Sequence, residues 1–339
     1  MPDGAFVQDG GVHFQPIERP AGAFQQPVTA DQIRAVCRRV FGPDAGVSSA
    51  VEMGLGMYNT TYRVTVEGRS RPMIVRFAPE PDRQFVSERE LMRNEYATVP
   101  HLAKIAPLMP RVISADWSHE LVGRDYLVQT LLDGVPAAEG LRTHPRRART
   151  GFFRQIGEIA RTVHEVRGAR FGPVAGPAYT TWSQAVIGSL QDIAADLDGL
   201  GLDSAGLRKA AALAAEHHAV LDEITEPRLL SGDLWTVNIM IAEDAPEPII
   251  SGVFDLDRTL WGDPAADWPI RLAASKQDER VAFWEAYGER DLSPAAVWRS
   301  LIYEIRHLGA VRLERHRLGD PGGVGDSYDA VETVLAELA

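Results

Sequence analysis

Apolar residues recur along this chain at two spacings, and the switches between them mark out its elements. Over residues 29–42 the spacing is helical: Ile33, Val36, Cys37, Val40 and Phe41 share one face, opened by a Thr29–Gln32 capping box and closed by Gly42. From 47 to 79 β-rich runs predict three antiparallel strands, Val47–Met53, Thr61–Glu67 and Pro72–Phe77, the last two joined by a turn at Gly68. A helix is expected from about Arg83 to Ile105, broken or kinked at Pro100. Two further strands, Pro110–Ala115 and Asp125–Leu132, complete a small antiparallel sheet. Beyond Gly134 helical spacing dominates. Phe152, Phe153, Ile156, Ile159, Ala160 and Val163 line one face of His144–Val166, and Trp182–Leu200 and Ser204–Ile224 follow. Two short runs, Asn238–Ala242 and Ile249–Leu256, flank a Pro/Asp/Glu turn and predict a hairpin. Helices near Pro269–Ser275, Glu279–Tyr287, Pro294–Leu318 and Tyr328–Leu338 end the chain.

These elements predict an α+β chain of three parts. Residues 1–26, rich in Gly, Pro and Gln without periodicity, are expected to form a flexible N-terminal arm or lid. Residues 27–132 would make a small antiparallel lobe with one key helix, and 133–339 a larger, mainly helical lobe carrying the hairpin.

Composition narrows the partners. A formal net charge of −12 argues against nucleic acid, whose phosphates require a basic surface. No apolar run reaches the length of a membrane span, and Met1–Gly10 lacks the order of a signal peptide, so the expected location is cytoplasmic. The single Cys37 excludes an intrachain disulfide. Within Asp222–Asp267 only Arg228 and Arg258 oppose the acids, a bias that would draw a cationic acceptor unless it serves a metal and solvated loops.

The chemistry concentrates between Leu229 and Asp267. Asp233 precedes the first hairpin strand, Asn238 stands at its head, and Asp255 lies at the end of the second. Two carboxylates and a carboxamide at one end of a hairpin suit magnesium-dependent phosphoryl transfer. One carboxylate orients and deprotonates a hydroxyl, while oxygen ligands hold a hard cation whose other positions go to phosphates and water. The Asp233-x-x-x-x-Asn238 spacing, followed by an Asp at the next strand end, also occurs in the protein-kinase catalytic loop. Upstream, Gly54, Gly56 and Asn59 occupy a turn between strands, where backbone N–H groups can approach phosphate oxygens.

SGDLWTVN, GVFDLD and WGDPAADW together resemble the aminoglycoside phosphotransferase family of small-molecule kinases, with its protein-kinase-like two-lobed fold. The resemblance spans about residues 48–310 and is sharpest from Ser231 to Asp267. It implies Asp233 as catalytic base, Asn238 and Asp255 as Mg²⁺ ligands, and the 54–59 turn as a cover over ATP or GTP. It also implies that Arg76 binds phosphate where kinases carry Lys, that Glu95 pairs with that cation, and that the hinge Gln129-Thr130-Leu131-Leu132 receives the nucleobase. Ser231 stands where the family usually has a loop-bracing His. The implied acceptor is a hydroxyl of a small molecule: an antibiotic, or a choline- or fructosamine-like metabolite.

Rival readings exist for the same residues. VFDLDRTLWGD also resembles the first motif of haloacid-dehalogenase-type phosphatases, with Asp255 as nucleophile and Asp257 as acid. That motif opens a parallel α/β domain, whereas only a helical tail follows here. Asp257, Asp263 and Asp267 are equally well read as turn, cap and loop-holding residues. His164 reads as a packed core residue, and the adjacent His217 and His218 point apart on a helix, a poor chelate. A second functional class is a non-catalytic, kinase-like nucleotide-binding protein, motivated by Ser231 and Arg76.

Overall fold

The computed structural model describes residues 7–9, 11–54, 56–267 and 276–338. They fall into two compact units: residues up to Gln84 with Met109–Leu132, and Phe85–Leu108 with Asp133 onward.

In the first unit, alternating β-branched and aromatic positions form a seven-stranded sheet. Its strands are β1 (Val7–Asp9), β2 (Val12–Gln15), β3 (Val47–Met53), β4 (Thr60–Val66), β5 (Met73–Phe77), β6 (Val112–Asp116) and β7 (Tyr126–Thr130), in the order β1-β2-β3-β4-β5-β7-β6. β2 and β3 run parallel; the other neighbours are antiparallel. Helix α1 (Ala30–Phe41) begins at the expected Thr29–Gln32 capping box. Its Ile33, Val36 and Cys37 are buried with Ala50, Tyr62, Val64 and Val75 of the sheet.

The sheet is therefore mixed and larger than its sequence pattern indicated, because the presumed arm joins it. Val12 and Phe14 are buried around an exposed His13, and Phe14 stacks on Tyr62 with ring centroids 5.9 Å apart. The carboxylate of Glu52, buried in β3, accepts from Ile17 N at 2.7 Å and pairs with Arg19. A buried carboxylate without a partner is costly, so this pair anchors the segment. The flexible-arm reading fails for residues 11–26 because three alternating residues are too few to stand out from a Gly/Pro/Gln background.

The expected Arg83–Ile105 helix is also corrected. It consists of 3-10 turns at Pro81–Arg83 and Val86–Glu88, helix α2 (Leu91–Thr98), and an irregular 3-10 stretch, Val99–Leu108. Glu90 sits at φ 56°, left-handed backbone that no helix propagates. α2 belongs to the second unit rather than to the sheet's unit. There Asn94 Nδ2 donates to the carbonyls of Asp257 and Thr259, both at 2.8 Å.

The second unit holds α3 (Ala137–Gly140), α4 (Arg146–His164), α5 (Trp182–Gly199), α6 (Ala205–Glu216), α7 (His218–Leu221), α8 (Gln277–Tyr287), α9 (Pro294–Arg317) and α10 (Pro321–Glu337). The expected Ser204–Ile224 helix divides at His217, which leaves helical geometry at φ −102°, ψ 29°. Leu190, Ile193 and Leu197 of α5, Leu207 of α6, Ile302 and Ile305 of α9 and Val331 of α10 share one core. Two small sheets complete the unit. β10 (Arg228–Leu230), β13 (Leu260–Gly262) and β9 (Gly172–Pro173) form one, in the order β10-β13-β9; β12 (Ile250–Val253), β11 (Ile239–Ile241) and β8 (Val135–Pro136) form the other. The expected helix at Pro269–Ser275 lies outside the described residues. Among the described residues, no helix is long and apolar enough to cross a membrane.

Candidate active site

The β11–β12 ribbon is the predicted hairpin, with Ile239 opposite Val253. The chain enters through a 3-10 turn, Thr236–Asn238, so Asn238 sits directly before β11. Phe254 N donates to Asn238 O at 3.1 Å, which places Asp255 at the same end of the ribbon. Asp255 has φ 59°, left-handed backbone costing a non-glycine residue about 1–2 kcal/mol. Strain of this kind concentrates at functional sites.

Asn238 Nδ2 donates to Asp233 O at 3.0 Å and to Asp233 Oδ2 at 2.9 Å. Both amide hydrogens are spent on Asp233, leaving Oδ1 as an oxygen ligand. Burial pushes the Asp233 carboxyl up to about 6; Arg258 opposes that rise and Asp255 adds to it. Among the described residues, no group of three or more His, Cys, Asp or Glu side chains forms a metal cage. One carboxylate and one carboxamide oxygen instead fit a magnesium ion that keeps its waters and binds substrate phosphates. The structure thus brings Asp233, Asn238 and Asp255 together.

The loop bearing Asp233 is held by Asp267. One oxygen of that carboxylate accepts from Ser231 N (2.9 Å), Ser231 Oγ (3.0 Å) and His164 Nε2 (2.7 Å), and the other from Gly232 N (3.0 Å). The third residue on this carboxylate, His164 of α4, comes from outside the loop, and its Nδ1 meets the Tyr287 hydroxyl at 3.0 Å. Gly232 has φ 75°, and a Cβ there would overlap the Arg258 carbonyl oxygen. Asp263 is structural: it accepts from Tyr303 OH at 2.8 Å and from Ala265 N at 3.0 Å.

Sequence reasoning missed a second set. Arg258 Nη2 donates to Glu88 Oε1 at 2.9 Å, and Arg317 of α9 also pairs with Glu88. These partners lie 170 and 229 positions apart, beyond any local pattern. Thr98 and Thr259 meet through their hydroxyls, and Asn94 Oδ1 accepts from Ala175 N at 2.8 Å. Asn94 therefore fastens the stretch that carries Asp255, as Asp267 fastens the loop that carries Asp233.

The remaining predicted residues divide between the units. Gly54 follows β3, and Gly56 and Asn59 lie in the turn before β4. Gln25 Nε2 donates to the carbonyls of Gly56 (3.0 Å) and Asn59 (2.8 Å), holding that turn. Arg76, buried on β5, lies between Thr61 of β4 and Leu127 of β7. Gln129 lies on β7 opposite Ile74, and Leu131 follows that strand. The first unit thus holds the turn, Arg76 and Gln129 on one sheet. Glu95, buried on α2, belongs to the second unit.

The sequence model of the phosphotransferase enzyme family matches residues 50–301. The chain belongs to this family. A search of curated proteins found no match. Solved structures share the phosphotransferase's fold at low identity. The GDP and kanamycin complex of APH(2")-IIia is 18% identical with a TM-score of 0.61, covering 90% of this chain and 98% of that one. A thermostable APH(4)-Ia mutant in ternary complex with ADP and hygromycin B is 17% identical with a TM-score of 0.60, covering 90% and 98%. A putative fructosamine-3-kinase from Thermobifida fusca YX-ER1 is 18% identical with a TM-score of 0.59, covering 91% and 100%. Identities this low establish the protein-kinase-like fold of this phosphotransferase and leave its acceptor to be argued from its own residues.

Proposed function

We propose that this phosphotransferase moves the γ-phosphate of ATP or GTP, with Mg²⁺, onto a hydroxyl of a small molecule. The observation that carries this reading is the Asp233–Asn238 pair at the same ribbon end as the strained Asp255. Relatives of the same fold bound to GDP or ADP support a nucleotide donor.

In this scheme Asp233, as carboxylate, accepts the acceptor's proton as its oxygen bonds to the γ-phosphorus. The bond from that phosphorus to the bridging oxygen breaks, and the nucleoside diphosphate leaves. Asn238 holds the Asp233 carboxylate in one orientation through Nδ2. Asn238 Oδ1 and Asp255 would hold Mg²⁺, which supplies charge neutralisation at the phosphates when bound. Arg76 and the turn carrying Gly54, Gly56 and Asn59 are assigned to the phosphates, Glu95 to orienting the cation, and Gln129 and Leu131 to the base.

The intact Asp233, Asn238 and Asp255 favour an enzyme over a non-catalytic nucleotide binder. Acceptors to test include aminoglycosides, other hydroxylated antibiotics, choline and glycated amines. The assay is Mg²⁺-dependent phosphate transfer with ATP and GTP as alternative donors. Asp233→Asn should lower transfer by about 10²–10⁴-fold, the usual worth of a positioned base, while nucleotide binding persists. Turnover by this variant at the parent rate would remove Asp233 from its role.

A further inference from the structure

Residues 17–27, between β2 and α1, lie within the first unit against the turn assigned above to the nucleotide phosphates. They touch it in three ways. A Cβ on Gly54 would come within 3.0 Å of Ile17 Cδ1, so the segment packs directly on that glycine. The Phe24 and Tyr58 rings meet with centroids 5.4 Å apart. Gln25 Nε2 donates to the carbonyls of Gly56 and Asn59.

Behind Gln25 stands a chain of polar contacts. Arg19 Nη2 donates to Gln25 Oε1 at 3.0 Å. A carboxamide can offer a neighbour either its oxygen or its nitrogen, and a guanidinium, which only donates, takes the oxygen and commits the nitrogen to the turn. Arg19 Nη1 in turn pairs with Glu52, whose side chain is wholly buried. The other Glu52 oxygen accepts from Ile17 N (2.7 Å) and Tyr62 OH (3.2 Å). The next residue is held separately: Gln26 O accepts from Thr60 Oγ1 (2.9 Å) and Arg124 Nη2 (2.8 Å).

This chain of contacts sets the direction of the turn's peptides. No peptide bond is cis, so each N–H lies opposite the carbonyl of its own peptide unit. With the Gly56 carbonyl drawn to Gln25, the Met57 N–H faces the other side, and the Asn59 bond fixes the far end of the turn. A glycine-containing turn otherwise has backbone freedom that binding would have to remove, and ordering it beforehand favours affinity. We propose that residues 17–27 are a strap that presets this turn for the nucleotide, and that Arg19 is a positioning residue acting through Gln25. This rests on the phosphotransferase reading and deepens it. The segment expected to be a flexible arm is instead part of the nucleotide site's support.

The test is calorimetric titration with magnesium-ATP and magnesium-GTP, which needs no acceptor. Arg19→Ala alone would strand a buried carboxylate, so it is combined with Glu52→Gln. The combined variant should weaken nucleotide binding about 3–10-fold, the worth of the hydrogen bond that orients Gln25. On a Gln25→Ala background the same change should add less than about twofold, because the route through Gln25 is already cut. Arg19→Lys, which keeps charge and donors, should bind within about threefold of the parent. Gln25→Glu strengthens the pair with Arg19 but sets a carboxylate against two carbonyls. It should melt no lower than Gln25→Ala and bind nucleotide more weakly, a divergence that support of the fold alone does not produce. Arg83→Ala, which removes bonds to the Gly22 and Ala23 carbonyls without reaching the turn, should leave binding within about twofold. The proposal is overturned if the Arg19 and Gln25 effects multiply, if Gln25→Glu binds as well as the parent, or if Arg83→Ala costs as much as the Arg19 change. A parent protein that binds neither nucleotide removes the kinase reading and the strap's role together. A parent that binds, with every strap variant binding equally well, refutes the strap alone.

Discussion

Replacing Asp267 with Ala tests whether the catalytic loop is held from behind rather than by its own residues. The side chain is 2% exposed and accepts four hydrogen bonds, two of them from backbone N–H groups that cannot turn elsewhere. Leaving a buried donor unsatisfied costs about 1–3 kcal/mol. Two such donors, with partial relief from water entering the space, put the loss at about 4 kcal/mol. For a unit of roughly 200 residues each kcal/mol moves the melting temperature by about 2–4 °C, so a drop of about 8–16 °C is expected in the second unit's transition. Calorimetry reads that shift. Asp267→Asn keeps one acceptor oxygen but turns an amide N–H₂ towards donors, and should lose about half as much. Because Gly232 precedes Asp233, a loop displaced by about 1 Å should also lower kcat about 100-fold. A variant melting within about 2 °C of the parent, with the parent's kcat, would refute the bracing role.

Gly232→Ala should be at least as damaging to activity, since φ 75° and the Arg258 carbonyl leave no room for a Cβ; a variant with the parent's rate would contradict this. Gln25→Ala should raise KM for the nucleotide about 5–20-fold by freeing the carbonyls of Gly56 and Asn59, the loss expected for one or two hydrogen bonds, while the denaturation midpoint barely moves. Transfer should decline as pH falls through about 6, because protonated Asp233 cannot take the hydroxyl proton. Raising Mg²⁺ should move that limb to lower pH, since a nearby cation favours the carboxylate; a limb indifferent to Mg²⁺ would place the metal elsewhere. In the metal-free protein the raised Asp233 value means the folded state holds its proton longer than the unfolded one. Its stability contribution is therefore fully present below about pH 4 and lost as pH rises towards 6.

Local order in this chain was legible where one segment carries its own reason to fold. The Thr29 capping box, the alternation through Val47–Phe77 and the hairpin around Asn238 depend on neighbours a few positions away, and all appear as helix, sheet and ribbon. The spacing from Asp233 to Asn238 was enough to bring a carboxylate against a carboxamide, because a tight turn leaves them nowhere else to go. What failed were segments whose partners are remote. Residues 11–26 look structureless until Glu52 and Tyr62 provide a carboxylate to pair with and a ring to stack on. Glu90 ends a helix that the apolar spacing would continue.

The electrostatics of the site belong to tertiary structure alone. The sequence shows an acidic stretch and the absence of the usual His at position 231. It does not show that Asp267 is consumed by loop and imidazole, or that Glu88 is shared by Arg258 and Arg317. Composition counts charges, whereas a binding site is governed by which charges remain unmatched once burial has forced the others into pairs. The chain by itself determined most of its elements and its family, and its motifs singled out Asp233, Asn238 and Asp255, which the fold brings to one end of the ribbon. What folding decided is which charges meet, because Asp267 with His164, and Glu88 with Arg258 and Arg317, come from segments brought together only when remote parts of the chain pack.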